Sequence, residues 1–180
     1  MRFTGDNGRK GFTLVELLVV IALIGILSGI AFFSVGNMRA RYLVERTIKG
    51  LYSDLMNARV LAMQKNRFYF VVFAPSQYVV YEDGTSTTEG NGQLDVATDT
   101  KVQTQDIDPS YPIAYPAAWT GANSFQFNGK GLAPSTLFTP PLTEASVSIT
   151  STVSAEYDCV LITQIRITLG KMNGAVCVGK

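Results

Sequence analysis

Histidine is absent from this 180-residue chain. That excludes His-based nucleophile triads and the HExxH zinc site together. The two cysteines cannot build a zinc site alone, and no GxSxG, P-loop or Rossmann glycine pattern occurs. The residues therefore point to no enzyme and to no cofactor. Charge is sparse, 16% of residues, and nearly balanced, with 15 basic against 14 acidic side chains. No basic excess points to nucleic acid, and no acidic block suggests a disordered tail. Proline is missing before Pro75, so nothing of that kind interrupts a helix over Ser34–Asn66. There is no internal repeat.

Against these absences stands one long apolar run, Phe12 to Phe33, holding a single charge, Glu16, shortly after a Gly-Phe junction. At about 1.5 Å per residue, a helix of this length just crosses a bilayer. A carboxylate there can cost a few kcal/mol, so an ordinary anchor has no reason to keep it. The residue calls for a partner. From Ser34 to Asn66, Val44, Ile48, Leu51, Leu55, Ala58 and Ala62 recur at helical spacing, with Arg41, Glu45, Lys49 and Asp54 largely elsewhere. The pattern predicts one helix from Phe12 to Asn66, roughly 80 Å long, whose amphipathic half packs on the C-terminal region. Gly25, Gly29 and Gly36 are its weak points.

From Arg67 the period becomes 2. Arg67–Ala74 and Gln77–Glu82 read as a hairpin about Pro75-Ser76. Asp83–Ser110 is polar and reads mainly as loop, with a strand near Val102. Further strands are expected at Ser124–Phe127, Ala145–Ser151 and from Cys159 onward. A long helix followed by short strands gives an α+β architecture, here a helix packed on an antiparallel sheet.

Residues 11–18, Gly-Phe-Thr-Leu-Val-Glu-Leu-Leu, follow a short hydrophilic leader with Arg2, Arg9 and Lys10. This resembles the class III signal of type IV prepilins and of the pseudopilins of type II secretion. The resemblance implies cleavage by the prepilin peptidase between Gly11 and Phe12, N-methylation of Phe12, and a role for Glu16 in assembly. A secretory signal is cut after its apolar stretch; here the implied cut precedes it, and the membrane helix is retained. Arg39, Arg41, Arg46 and Lys49 lie just beyond the helix, so charge counting does not orient it; the leader signal puts the head on the periplasmic side of the inner membrane. A free ammonium at Phe12 and a carboxylate at Glu16 are both costly in hydrocarbon, and pairing them between neighbouring subunits relieves much of that cost.

The implied organisation is a leader (1–11, cleaved), a transmembrane and assembly helix (12–33), an amphipathic helix (34–66) and a β-rich head (67–180). Family pilins mostly carry a proline near mature position 22, where this chain has Phe33. Leu51–Arg67 followed at once by a strand, and Phe125-Gln-Phe-Asn-Gly-Lys-Gly131, are similar to the H-type minor pseudopilins and related minor pilins. The function this implies is a minor subunit that primes or caps a type II secretion pseudopilus or a type IV pilus. Its partners would be other minor and major pilin-like subunits, the prepilin peptidase, the inner-membrane assembly platform and membrane lipid. Two alternatives share the architecture: a major repeating subunit, and a minor pilin acting in DNA uptake. The second would need exposed cations, and the C-terminal region has only Arg166, Lys171 and Lys180, interspersed with neutral residues.

In an oxidising compartment Cys159 and Cys177 are expected to form a disulfide worth about 3 kcal/mol by chain entropy, the alternative being two free thiols. A hairpin at Asn173-Gly174 would place Cys177 opposite Gly170 and far from Cys159. A turn near Gln164-Ile165, then a curl back through Met172 to Val176, brings the two together and matches the cysteine-bounded loop that ends related heads. Asp95, Asp99, Asp106 and Asp108, with one D-x-D pair at Asp106-Ile-Asp108, invite a calcium reading; a solvated loop is the reading preferred, and no metal is expected.

Overall fold

The computed structural model describes residues 11–84, 90–116, 119, 123–134 and 144–180; the side chains of residues 30–35 lie outside that description, as does the leader up to residue 10. Two compact units divide the chain, 1–39 and 40–180. One helix, α1 (Leu14–Lys65), contributes to both and continues through Gly25, Gly29 and Gly36. Its end is set by Asn66, which adopts a left-handed φ of 50°, while the Arg67 N–H reaches back to the Ala62 carbonyl at 3.1 Å. This closes the last turn as asparagine commonly does after a helix.

Nine strands follow among the described residues: β1 (Tyr69–Ala74), β2 (Gln77–Glu82), β3 (Thr100–Asp106), β4 (Ile113–Ala114), β5 (Ser124–Phe127), β6 (Glu144–Ile149), β7 (Cys159–Thr163), β8 (Ile167–Asn173) and β9 (Val176–Gly179). They form two antiparallel sheets rather than one, in the orders β3-β2-β1-β5 and β4-β6-β7-β8-β9. The expected β1–β2 hairpin is present, with Ala74 opposite Gln77.

Every member of the expected helical stripe, Val44, Ile48, Leu51, Leu55, Ala58 and Ala62, is buried. It shares one core with Tyr69, Val71, Phe73, Phe125 and Phe127 of the first sheet and Val147, Val160 and Ile162 of the second. Each large side chain so buried contributes about 1.5–3 kcal/mol. Trp119, the sole tryptophan, lies within this core, its ring centroid 5.4 Å from Phe73 and 5.6 Å from Phe125. The continuous apolar run of β1 is explained by a second, smaller cluster on its other face, where Phe70, Val79 and Tyr81 pack with Phe68, Val72 and Leu94. A strand covered on both faces has no reason to alternate.

Candidate functional site

At the N-terminal end of α1, Gly11, Phe12 and Thr13 precede the helix as exposed residues outside it, and Phe12 is 82% exposed. Thr13 is the helix cap: its hydroxyl oxygen accepts from the Glu16 N–H at 3.2 Å, and its carbonyl accepts from the Leu17 N–H at 3.2 Å. Glu16 thus occupies the third helical position, in the first turn, where Thr-x-x-Glu is a capping signature and a carboxylate suits the helix dipole. That signal stood in the sequence as Thr13-Leu-Val-Glu16 and belongs to Glu16 as well as any intersubunit role. From Leu14 to Leu27 the helix exposes apolar side chains on every face. Among the described residues no helix is long and apolar enough to cross a membrane; the expected 12–33 segment runs on into residues whose side chains are outside the description.

In the head, Cys159 and Cys177 form a disulfide, by a path that corrects the expected one. The turn at Gln164–Arg166 exists, closed by the Thr163 N–H on the Arg166 carbonyl. The hairpin at Asn173-Gly174 exists as well, with Asn173 opposite Val176, Met172 opposite Cys177, and Gly174 at φ 64°. Cys159 faces Gly170. The bridge therefore reaches from β7 to β9 across the intervening β8. In a flat sheet, strands two apart are about 9.5 Å apart; the cysteine Cα atoms are 6.1 Å apart, so the sheet curls tightly here. Gly170 makes this feasible. A Cβ built on it would stand 2.8 Å from the Cys177 sulfur, 3.1 Å from the Cys159 sulfur and 2.6 Å from the Val178 carbonyl oxygen.

The two stretches resembling H-type heads meet. Asn128 Oδ1 accepts from the Lys130 and Leu132 N–H groups, folding the loop after β5 over the end of α1. A Cβ on Gly129 would be 2.4 Å from Asn66 Oδ1, and one on Gly131 would be 2.7 Å from the Met63 sulfur. Gly131 also holds φ 70°. Both glycines are there because the helix end leaves no room.

The four aspartates considered for calcium separate into two places. Asp95 and Asp99 lie before β3; Asp106 ends that strand and Asp108 follows it, about 20 Å further along at strand spacing. Asp99 accepts from the N–H groups of Gly84 and Asp95, Asp95 from the Asn91 amide, and Asp108 from the Ser110 N–H. These are turn-forming roles. Among the described residues no group of three His, Cys, Asp or Glu side chains could hold a metal ion. Sequence reasoning passed over Asp83, which is buried and accepts from the Gly92 N–H at 3.0 Å. Burial, and then the charge of Asp99, push its carboxyl above the ordinary range. The three C-terminal cations make no patch: Lys171 donates to Ser154, Lys180 lies against Glu156 and over the Tyr157 ring, and Arg166 sits in the β7–β8 turn.

A groove of about 480 Å³ runs beside the free edge of the first sheet, between α1 and β3. Arg46, Gly50 and Asp54 line it from the helix, and Gln103, Asp106 and Asp108 from the strand side. Asp54 Oδ2 accepts from the Tyr78 hydroxyl at 2.6 Å and from the Gln103 amide at 2.8 Å. Burial, joined by the Asp54 carboxylate, holds the Tyr78 phenol far above its ordinary range.

Residues 6–32 match the prokaryotic N-terminal methylation motif. No curated protein matches the chain in sequence. Among solved structures, the chain is similar to the minor pseudopilin EpsH from the type 2 secretion system of Vibrio cholerae, with 8% identity over 72% of this chain and 97% of that one, and a TM-score of 0.48. It is also similar to the type IV minor pilin FimU of Pseudomonas aeruginosa, with 15% identity over 78% of this chain and 92% of that one, and a TM-score of 0.47.

Proposed function

We propose that this chain, a type IV pilin-like protein by its N-terminal methylation motif and its helix-and-sheet head, is a minor subunit of the H type that helps prime or cap a type II secretion pseudopilus or a type IV pilus. Its role is structural, not catalytic. The observation that carries the reading is the placement of the motif. Gly11-Phe12 lies in exposed backbone immediately before a helix whose first half is apolar all round, with Glu16 in its first turn. Such a segment has no use for its surface until lipid or neighbouring subunits cover it. The inner-membrane peptidase would cut after Gly11, Phe12 would be methylated, and the chain would stay anchored in the inner membrane with its head in the periplasm. The new Phe12 ammonium would pair with Glu16 of a neighbour, fixing the axial step between subunits.

N-terminal sequencing and intact mass of membrane-extracted protein test the processing. The expected product begins at methylated Phe12; a product retaining Gly11 in a peptidase-competent cell overturns it. The Glu16→Ala chain should insert in the membrane as well as the parent or better, yet fail to co-purify with the other minor subunits. Normal co-purification, together with normal secretion or piliation, would contradict the pairing.

A further inference from the structure

The edge strand β3 is exposed along Thr100–Asp106 except at the half-buried Gln103, and its two halves differ. The first half carries the usual protections of a free edge, a lysine and a bulge: Lys101 pairs with Tyr81, Gln103 with Val80, and Val102 is the extra residue. The second half, Gln103–Asp106, pairs regularly with Val80–Gln77 and presents an unbulged polar edge without lysine or proline. Beside this half lies the groove, whose lining includes three carboxylate residues, Asp54, Asp106 and Asp108, and one guanidinium residue, Arg46. Its helical wall holds Gly50, within α1 and exposed, where an added Cβ would meet nothing within 4 Å. A helix-interior glycine lowers stability relative to alanine, and nothing in the head crowds this one. The missing side chain leaves room for something outside the head.

We propose that Gln103–Asp106 and the adjoining groove dock an extended, lysine- or arginine-bearing segment of another protein by strand addition. The segment's backbone takes up the outward N–H and C=O groups of this half of β3, displacing the Gln105 side-chain amide from the Asp106 carbonyl. Its alternate side chains fall on one face, where the carboxylate excess selects cations. The inference concerns the head alone and is independent of which filament the chain serves.

The test uses the full chain in uncharged detergent with fluorescent peptides of alternating lysine and threonine, or of alternating glutamate and threonine. The lysine peptide should bind at least about tenfold more tightly, less so in high salt. It should slow amide exchange at Gln103–Asp106 and not at Thr100–Val102. Methylating its alternate backbone amides, in one of the two registers, should abolish binding. Asp106→Asn with Asp108→Asn should erase the preference for lysine, while Gly50→Met should weaken binding about tenfold without lowering the melting temperature. Equal binding of both peptides, no binding, or protection elsewhere on the head overturns the proposal. Protection of β3 that grows with chain concentration in the absence of peptide also overturns it, and identifies a second copy as the occupant.

Discussion

Two halves of the same helix treat apolar residues in opposite ways. Between Val44 and Ala62 they occupy one stripe, and every member is buried against the two sheets. Between Leu14 and Leu27 they occupy every face and stay exposed. Both halves are helical, so helicity is not the difference. The C-terminal half satisfies its stripe within the chain, whereas the N-terminal half has more apolar surface than the described residues cover. Stability of the head and competence for assembly should therefore be separable by position along α1.

The strongest test of that separation truncates leucines in both halves. Leu51→Ala or Leu55→Ala should destabilise the head by about 2–5 kcal/mol, the range for buried leucine. Leu17→Ala or Leu23→Ala should leave it within about 0.5 kcal/mol. Fluorescence of Trp119, single and buried in the head core, reports head unfolding in urea for the full chain in detergent. A Leu17→Ala shift as large as that of Leu51→Ala would break the comparison.

Next in size is the bridge. Gly170→Ala places a methyl against both sulfurs and the Val178 carbonyl, so it should act like loss of the disulfide, about 3 kcal/mol. Thiol counting on denatured, unreduced protein should find free thiols in the variant and none in the parent. Reduction of the parent should lower its urea midpoint yet leave it folded at room temperature, because the shared core rather than one crosslink carries the head. An unfolded reduced head would show that the core is weaker than its burial implies.

The legible parts of this fold are those where one local rule decides. The buried stripe follows from helical period, and the β1–β2 hairpin from Pro75-Ser76 between two apolar runs. The methylation motif is a fixed spacing of glycine, aromatic and glutamate. What stayed hidden depends on contacts between distant residues. That the head has two sheets follows from strand partners, which no period encodes. The crossing of the disulfide over β8 turned on Gly170, eleven residues from one cysteine and seven from the other; its lack of a side chain matters only once the sheet curls. Asp83 reads as the start of a polar loop until Gly92 and Asp99 close over it. Thr13 stands three residues before Glu16, but a Thr-x-x-Glu spacing at the head of a continuous apolar run does not by itself say where the helix starts.

Smaller effects should appear with pH in the head. The Asp83 carboxyl lies above its ordinary 3.8, because of burial and then Asp99. The native state therefore holds this proton longer than the unfolded one, and the contribution of Asp83 to stability falls as pH rises from about 4. Glu82 behaves oppositely. Burial works to raise its carboxyl, but hydrogen bonds from Lys65 and Tyr69 outweigh burial and leave it below 4.5. Its contribution is present above 4.5 and is lost as pH falls through the lowered value. Asp83→Asn should gain on the parent in urea as pH rises from about 4 to about 7, and Glu82→Gln should gain on the parent as pH falls from about 5 to about 3. Parallel pH curves for all three proteins would refute this assignment.

The smallest effect on the head, and the sharpest on the comparison, comes from separating the two roles of Glu16. Within one chain the Thr13 hydroxyl caps the Glu16 N–H and the carboxylate suits the helix dipole; the proposed assembly role needs only its charge and a neighbour. Thr13→Ala removes the hydroxyl acceptor and should loosen the first turn by about 1 kcal/mol, while keeping the carboxylate. Glu16→Gln keeps a side chain able to serve in a capping box but removes the charge. Neither should move the Trp119 unfolding transition, since both lie in the half that the head does not bury. If charge pairing governs assembly, Thr13→Ala chains co-purify with partner subunits near the parental level and Glu16→Gln chains do not. The reverse result, with Glu16→Gln assembling and Thr13→Ala failing, would make Glu16 a helix-starting residue and overturn its proposed pairing with a Phe12 ammonium.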